Sequence, residues 1–73
     1  MNKELLRFMR ASKGMTQQEL ADLMGVTQAM IYAYENGRKP IAEHRVQQLR
    51  NIFTDDYIAR CRRFLNATSR YFL

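Results

Sequence analysis

A chain of 73 residues, 47% hydrophobic and 26% charged with only 3 Gly and 1 Pro, has room for one small domain and the make-up of a helical globule, not of a disordered segment. Its 12 Lys and Arg outweigh 7 Asp and Glu, and the net charge of +5 suits a polyanionic partner. The single cysteine, Cys61, excludes an internal disulfide and no Cys and His spacing offers a zinc site, so association with a second subunit is the remaining way to enlarge a small core.

The opening MNKELLRFMR carries no extended apolar run, and nowhere do 18 apolar residues follow one another, so the expectation is a soluble, cytoplasmic protein with no membrane role. Asn2 predicts the cap of a first helix running to about residue 12, with Leu5, Leu6, Met9 and Phe8 on its apolar side and Gly14 as its stop. Thr16 followed by Glu19 is the signature of a capping box, which starts a second helix near Gln17 that runs to Met24. That helix buries Leu20, Ala21 and either Leu23 or Met24. Gly25 permits a positive φ, and Thr27 is a second N-cap, so a third helix begins almost at once and ends at Asn36-Gly37. After the basic loop Arg38-Lys39-Pro40, the apolar positions Ile41, Val46, Leu49, Ile52 and Phe53 mark a fourth helix. Thr54 with Asp55 and Asp56 starts a fifth, in which Tyr57, Ile58, Cys61, Phe64, Leu65 and Thr68 keep helical spacing. No alternating stretch suggests a strand, and the fold class is all-α with five helices.

Two short helices joined by a glycine turn can cross steeply and leave the second free to enter a major groove. Arg10, Gln17, Leu20, Ala21, Gly25, Val26, Thr27, Ile31 and the run Glu35-Asn36-Gly37 also resemble, over about residues 3 to 53, the Cro and phage-repressor type of helix-turn-helix, the Xre-like group of bacterial and phage regulators. The resemblance implies a lambda-repressor-like domain with the helix-turn-helix at helices 2 and 3. It implies that Ile31 and Tyr34 face the core, whereas Gln28, Ala29, Tyr32 and Ala33 point outward from a recognition helix toward base edges. Gln28 can address adenine through both ends of its amide, and Ala29 and Ala33 can meet only a thymine methyl. Met30 stands where such proteins often carry a small polar residue and reads as core rim.

Gln17, Thr27, Asn36, Arg38 and Lys39 are the expected phosphate contacts: the first two begin helices, where exposed amides attract anions, and the others follow the recognition helix. In related repressors the Gln17 position also braces the Gln28 position, and the Arg10 and Glu35 positions make a partly buried, structural ion pair. Residues 17 to 37 contain no Lys or Arg, so the positive charge expected to meet phosphate lies at the segment's borders. Arg45 is a further backbone-contact expectation, and His44 reads as a solvated surface residue.

The C-terminal stretch sets Arg60, Arg62, Arg63 and Arg70 beside the apolar Ile58, Cys61, Phe64, Leu65 and Phe72. These five are expected to combine core packing with a homodimer interface, against the alternatives of core packing alone or a membrane-surface helix. Residues 1–73 thus read as one helix-turn-helix domain, with 1–53 as the DNA-binding helices and 54–73 as a C-terminal helix.

The function this supports is a dimeric, sequence-specific regulator of transcription, a small repressor or Cro-like switch on a near-palindromic double-stranded DNA operator. Within the same fold, a restriction-system controller or an autoregulating antitoxin are the alternatives. A protein-interaction module is the competing class, because Glu19, Asp22 and Glu35 leave the 16–37 segment acidic. One His, one Cys and no glycine-rich phosphate loop argue against an enzyme, a metal, a cofactor or a small-molecule ligand.

Overall fold

Asn2 opens the first helix: its side-chain carbonyl accepts from the Leu5 amide at 2.8 Å and so satisfies one of the donors that a helix start leaves free. The computed structural model describes residues 1–69, and its helices are α1 (Lys3–Ser12), α2 (Gln17–Met24), α3 (Gln28–Glu35), α4 (Glu43–Phe53) and α5 (Asp55–Ser69). Among the described residues there is no strand.

The bounds of α2 and the start of α3 follow from three side chains and one glycine. Thr16 Oγ1 accepts from the Glu19 amide at 3.0 Å while the Glu19 carboxylate accepts from the Thr16 amide at 3.0 Å, a complete capping box. At the other end Gly25 takes φ 69 and ψ 33, left-handed geometry that lets the Val26 amide reach the Ala21 carbonyl at 3.0 Å and the Gly25 amide reach Asp22 at 3.4 Å. Those bonds close the open end of α2 in two residues. Thr27 then caps α3, its hydroxyl accepting from the Met30 amide at 3.2 Å.

The helices bury one shared core: Leu5, Leu6 and Met9 from α1, Leu20, Ala21 and Met24 from α2, Ile31 and Tyr34 from α3, Leu49 and Phe53 from α4, Ile58 and Cys61 from α5. Each of the fully enclosed large side chains, Leu6, Met9, Leu20, Ile31 and Leu49, contributes about 1.5–3 kcal/mol through removal from water. Of the two candidates at the end of α2, Met24 is inside and Leu23 is 60% exposed, because Leu20, Ala21 and Met24 share one helical face. α3 packs chiefly on α2 and also on α1, and α5 lies against α1 and α4.

The fourth helix starts later than its apolar spacing suggests. Ile41 precedes α4 and packs on the core from an extended segment, and the N-cap is Ala42, whose side chain makes no capping bond. Without a capping hydroxyl or carboxamide after Pro40, nothing local marks the boundary.

Candidate nucleic-acid interface

Arg10 reaches from α1 to the end of α3. Its Nε donates to Glu35 Oε2 at 2.6 Å and its Nη2 to Glu35 Oε1 at 3.0 Å, a two-pronged pair, while Nη1 donates to the Met15 carbonyl at 2.6 Å. The Glu35 side chain is only 2% exposed and that of Arg10 14%. The hydrogen bonds to Glu35 outweigh the cost of burial and hold the Arg10 guanidinium still more firmly protonated than usual. A buried carboxylate so paired fixes where α3 ends relative to α1.

Glu35 has a second visitor. Gln17 Nε2 donates to Glu35 Oε1 at 3.1 Å, and Gln28 Nε2 in turn donates to Gln17 Oε1 at 2.6 Å. The polarity of this chain is forced. An ionised carboxylate only accepts, so Gln17 must turn its NH2 toward Glu35 and its oxygen toward Gln28, and Gln28 must answer with its own NH2. The outcome is an exposed Gln28 amide held at one hydrogen, with a second N–H and the Oε1 free to address a ligand.

The surrounding face of α3 is small and shallow. Ala29 is exposed, Ala33 half-buried, and Tyr32 is 44% exposed. The Arg38 guanidinium lies 5.8 Å from the centre of the Tyr32 ring, within cation–π range, so this cation is drawn alongside α3. Asn36 donates from its side chain to the Tyr32 carbonyl at 2.8 Å and is exposed, as are Thr27 and Lys39. Met30 is half-buried against the core. The segment lacking Lys and Arg is therefore flanked on its exposed side by Arg38 and Lys39.

This arrangement has a name: the helix-turn-helix family model matches residues 6–54, which runs from within α1 to the residue after α4. The chain belongs to the Cro/C1-type helix-turn-helix family. No curated protein and no solved structure matches it. The family is one of DNA-binding regulators rather than enzymes, and the matched unit is a DNA-binding regulatory domain whose helix-turn-helix is α2 and α3.

In this helix-turn-helix domain two contacts went unforeseen in the sequence. Gln48 on α4 donates to the Met24 carbonyl at 3.0 Å, which props α4 against the last turn of α2, and Arg45 donates to Gln48 Oε1 at 2.9 Å. The Gln48 to Met24 bond spans 24 positions with no local pattern to announce it, whereas Arg45 meets Gln48 three residues on, across one turn of α4. His44 is exposed.

α5 lies beyond the matched residues. Ile58 and Cys61, each 5% exposed, are buried within the chain's own core; Leu65 is half-buried; Phe64 is 54% exposed and stacks on Phe8 with ring centres 5.2 Å apart. Phe72 and Arg70 lie outside the described residues. No helix among the described residues is long and apolar enough to cross a membrane, and no group of His, Cys, Asp and Glu there is placed to hold a metal ion.

Proposed function

We propose that this helix-turn-helix chain is a sequence-specific regulator of transcription, a small dimeric repressor or Cro-like switch that acts by occupying a near-palindromic operator. The observation that carries the reading is the hydrogen-bonded chain from Arg10 through Glu35 and Gln17 to Gln28. A solvated amide on a filler residue needs no such support, whereas one that must discriminate between bases benefits from a fixed orientation.

In this account Gln28 reads an adenine, Ala29 and Ala33 admit thymine methyl groups, and Tyr32 packs beside them. Thr27, Asn36, Arg38 and Lys39 hold the phosphate backbone. The Gln17 side-chain amide holds Glu35 and Gln28, and at a phosphate Gln17 offers its backbone N–H at the start of α2 together with the remaining side-chain N–H. Residues 1–53 make the DNA contacts and 54–73 supply the contact with a second subunit, for which the exposed Phe64 beside Phe8 is an apolar starting point. Two such units place their recognition helices about 34 Å apart, one turn of DNA.

Selection of bound duplexes from a random pool tests the proposal. Two related half-sites spaced by about one DNA turn are the expected outcome, and a pool that never converges on a motif removes the sequence-specific regulator from consideration.

A further inference from the structure

The end of α4 is built unlike the ends of the three helices before it. Gly14, Gly25 and Gly37 terminate α1, α2 and α3 at φ 68, 69 and 71, a region glycine occupies without penalty. After α4 the same place is taken by Thr54, at φ 69 and ψ 149, and among the described residues it is the sole non-glycine with positive φ. A β-branched residue is disfavoured there because its side chain crowds the backbone. This one strained residue is also the whole connection between α4 and α5, and the family match ends on it.

We infer that Thr54 is a hinge through which two copies of this chain exchange α5, each α5 packing on the α1 and α4 of the other copy. The inference rests on the dimer reading above and says how that dimer is built. If Thr54 turns helical, α4 and α5 become one continuous helix of about 40 Å at 1.5 Å per residue. Thr54 already donates to the Arg50 carbonyl at 3.0 Å and accepts from the Ile58 amide at 3.1 Å, as a residue inside a helix would. Straightening lets the amides of Asp55, Asp56 and Tyr57 find the carbonyls of Asn51, Ile52 and Phe53, and it releases the strain at Thr54.

The straight form has a demand that names its partner. It carries Ile58 and Cys61 away from the core and uncovers the faces of α1 and α4 that α5 had closed. The occupant that fits that vacated surface is the α5 of a second copy, since every contact it would make already exists within one chain. The bent form has holding contacts of its own: the Thr54 hydroxyl accepts from the Tyr57 amide at 3.3 Å, and Arg50 grips Asp55 with a fork at 2.7 and 3.1 Å. Residues five apart stand about 140° apart around a continuous helix, so the fork belongs to the bent form alone. Because the exchanged dimer restores the core contacts of the closed chain, the two forms differ chiefly at this hinge.

Sedimentation equilibrium of the full chain and two hinge variants tests this. Thr54→Gly relieves the bent form and penalises the continuous helix at both hinges, and is expected to weaken dimerisation about a hundredfold. Thr54→Ala keeps the positive-φ cost, removes the cap and favours helix, and is expected to tighten dimerisation about tenfold. A Thr54→Gly chain that dimerises as the parent does overturns the exchange while leaving a surface-contact dimer standing. A parent chain that stays monomeric both alone and on its selected DNA overturns the dimer itself.

Discussion

The Gln28 side-chain amide donates to Gln17 Oε1 at 2.6 Å, and the direction of that bond is set one step further back, where Gln17 donates to the buried Glu35. Both the nitrogen and the oxygen of the Gln17 side-chain amide are thus engaged within the protein. In the proposed reading of DNA, its part is to keep Gln28 from rotating.

Gln17→Ala should therefore lower affinity for the selected operator about tenfold, the loss of roughly 1.4 kcal/mol, with little effect on an unrelated duplex. Gln17→Glu should do worse, since it sets a second carboxylate against Glu35. Fluorescence anisotropy titrations on the two duplexes measure both. An equal loss on the unrelated duplex would show that Gln17 acts through phosphate instead.

Removing the charge of Glu35 leaves the Arg10 guanidinium in a site where it is 14% exposed and stripped of its fork. Glu35→Ala is expected to cost about 3–5 kcal/mol in urea unfolding. The double variant Arg10→Met with Glu35→Leu should recover most of that loss while still binding DNA poorly, because α3 loses its polar anchor. A double variant as unstable as Glu35→Ala would mean that packing, not the stranded charge, sets the cost.

Arg38 and Lys39 carry the positive charge that residues 17 to 37 lack. Each of Arg38→Ala and Lys39→Ala should weaken binding to every sequence alike and reduce the slope of log K against log salt by about 1. Unchanged slopes in both would place the phosphate contacts elsewhere.

The fork from Arg50 holds the Asp55 carboxyl below its ordinary value. A carboxyl depressed in the folded chain contributes stability above its unfolded value of about 3.9 and loses it as pH falls toward the folded one. Parent and Asp55→Asn should thus differ in stability at neutral pH, begin to converge near about pH 4 and meet once the pH is below the folded value, measured by urea unfolding at each pH. Arg62 lines the same recess and Glu43 acts on Arg50, so the comparison is best made with both retained. A difference that persists into acid would assign the effect to uncharged contacts of the Asp55 side chain instead of the ion pair.

What could be read in the sequence was whatever is local. Thr16 with Glu19, Gly25 and Thr27 each act within three or four residues, so the boundaries of α2 and α3 follow from their spacing. The start of α4 did not, because Ala42 carries no capping group, and the choice between Leu23 and Met24 needed the partner helix that only the fold supplies. The Gln17 to Glu35 bond joins positions 18 apart, and the Gln48 to Met24 bond positions 24 apart. Thr54 reads in sequence as an ordinary cap, and its positive φ arises only because α5 must turn back onto α1.

In the proposed regulator, Gln28 is aimed at a base and the other contacts of α3 are arranged around it. Selection from random duplex DNA, run in parallel with the parent chain and Gln28→Ala, measures it directly. One motif shared by both proteins is expected, with an adenine preference lost at a single position in each half-site of the Gln28→Ala motif. Identical motifs from the two proteins would contradict it, and would leave the chain from Arg10 to Gln28 as scaffolding alone.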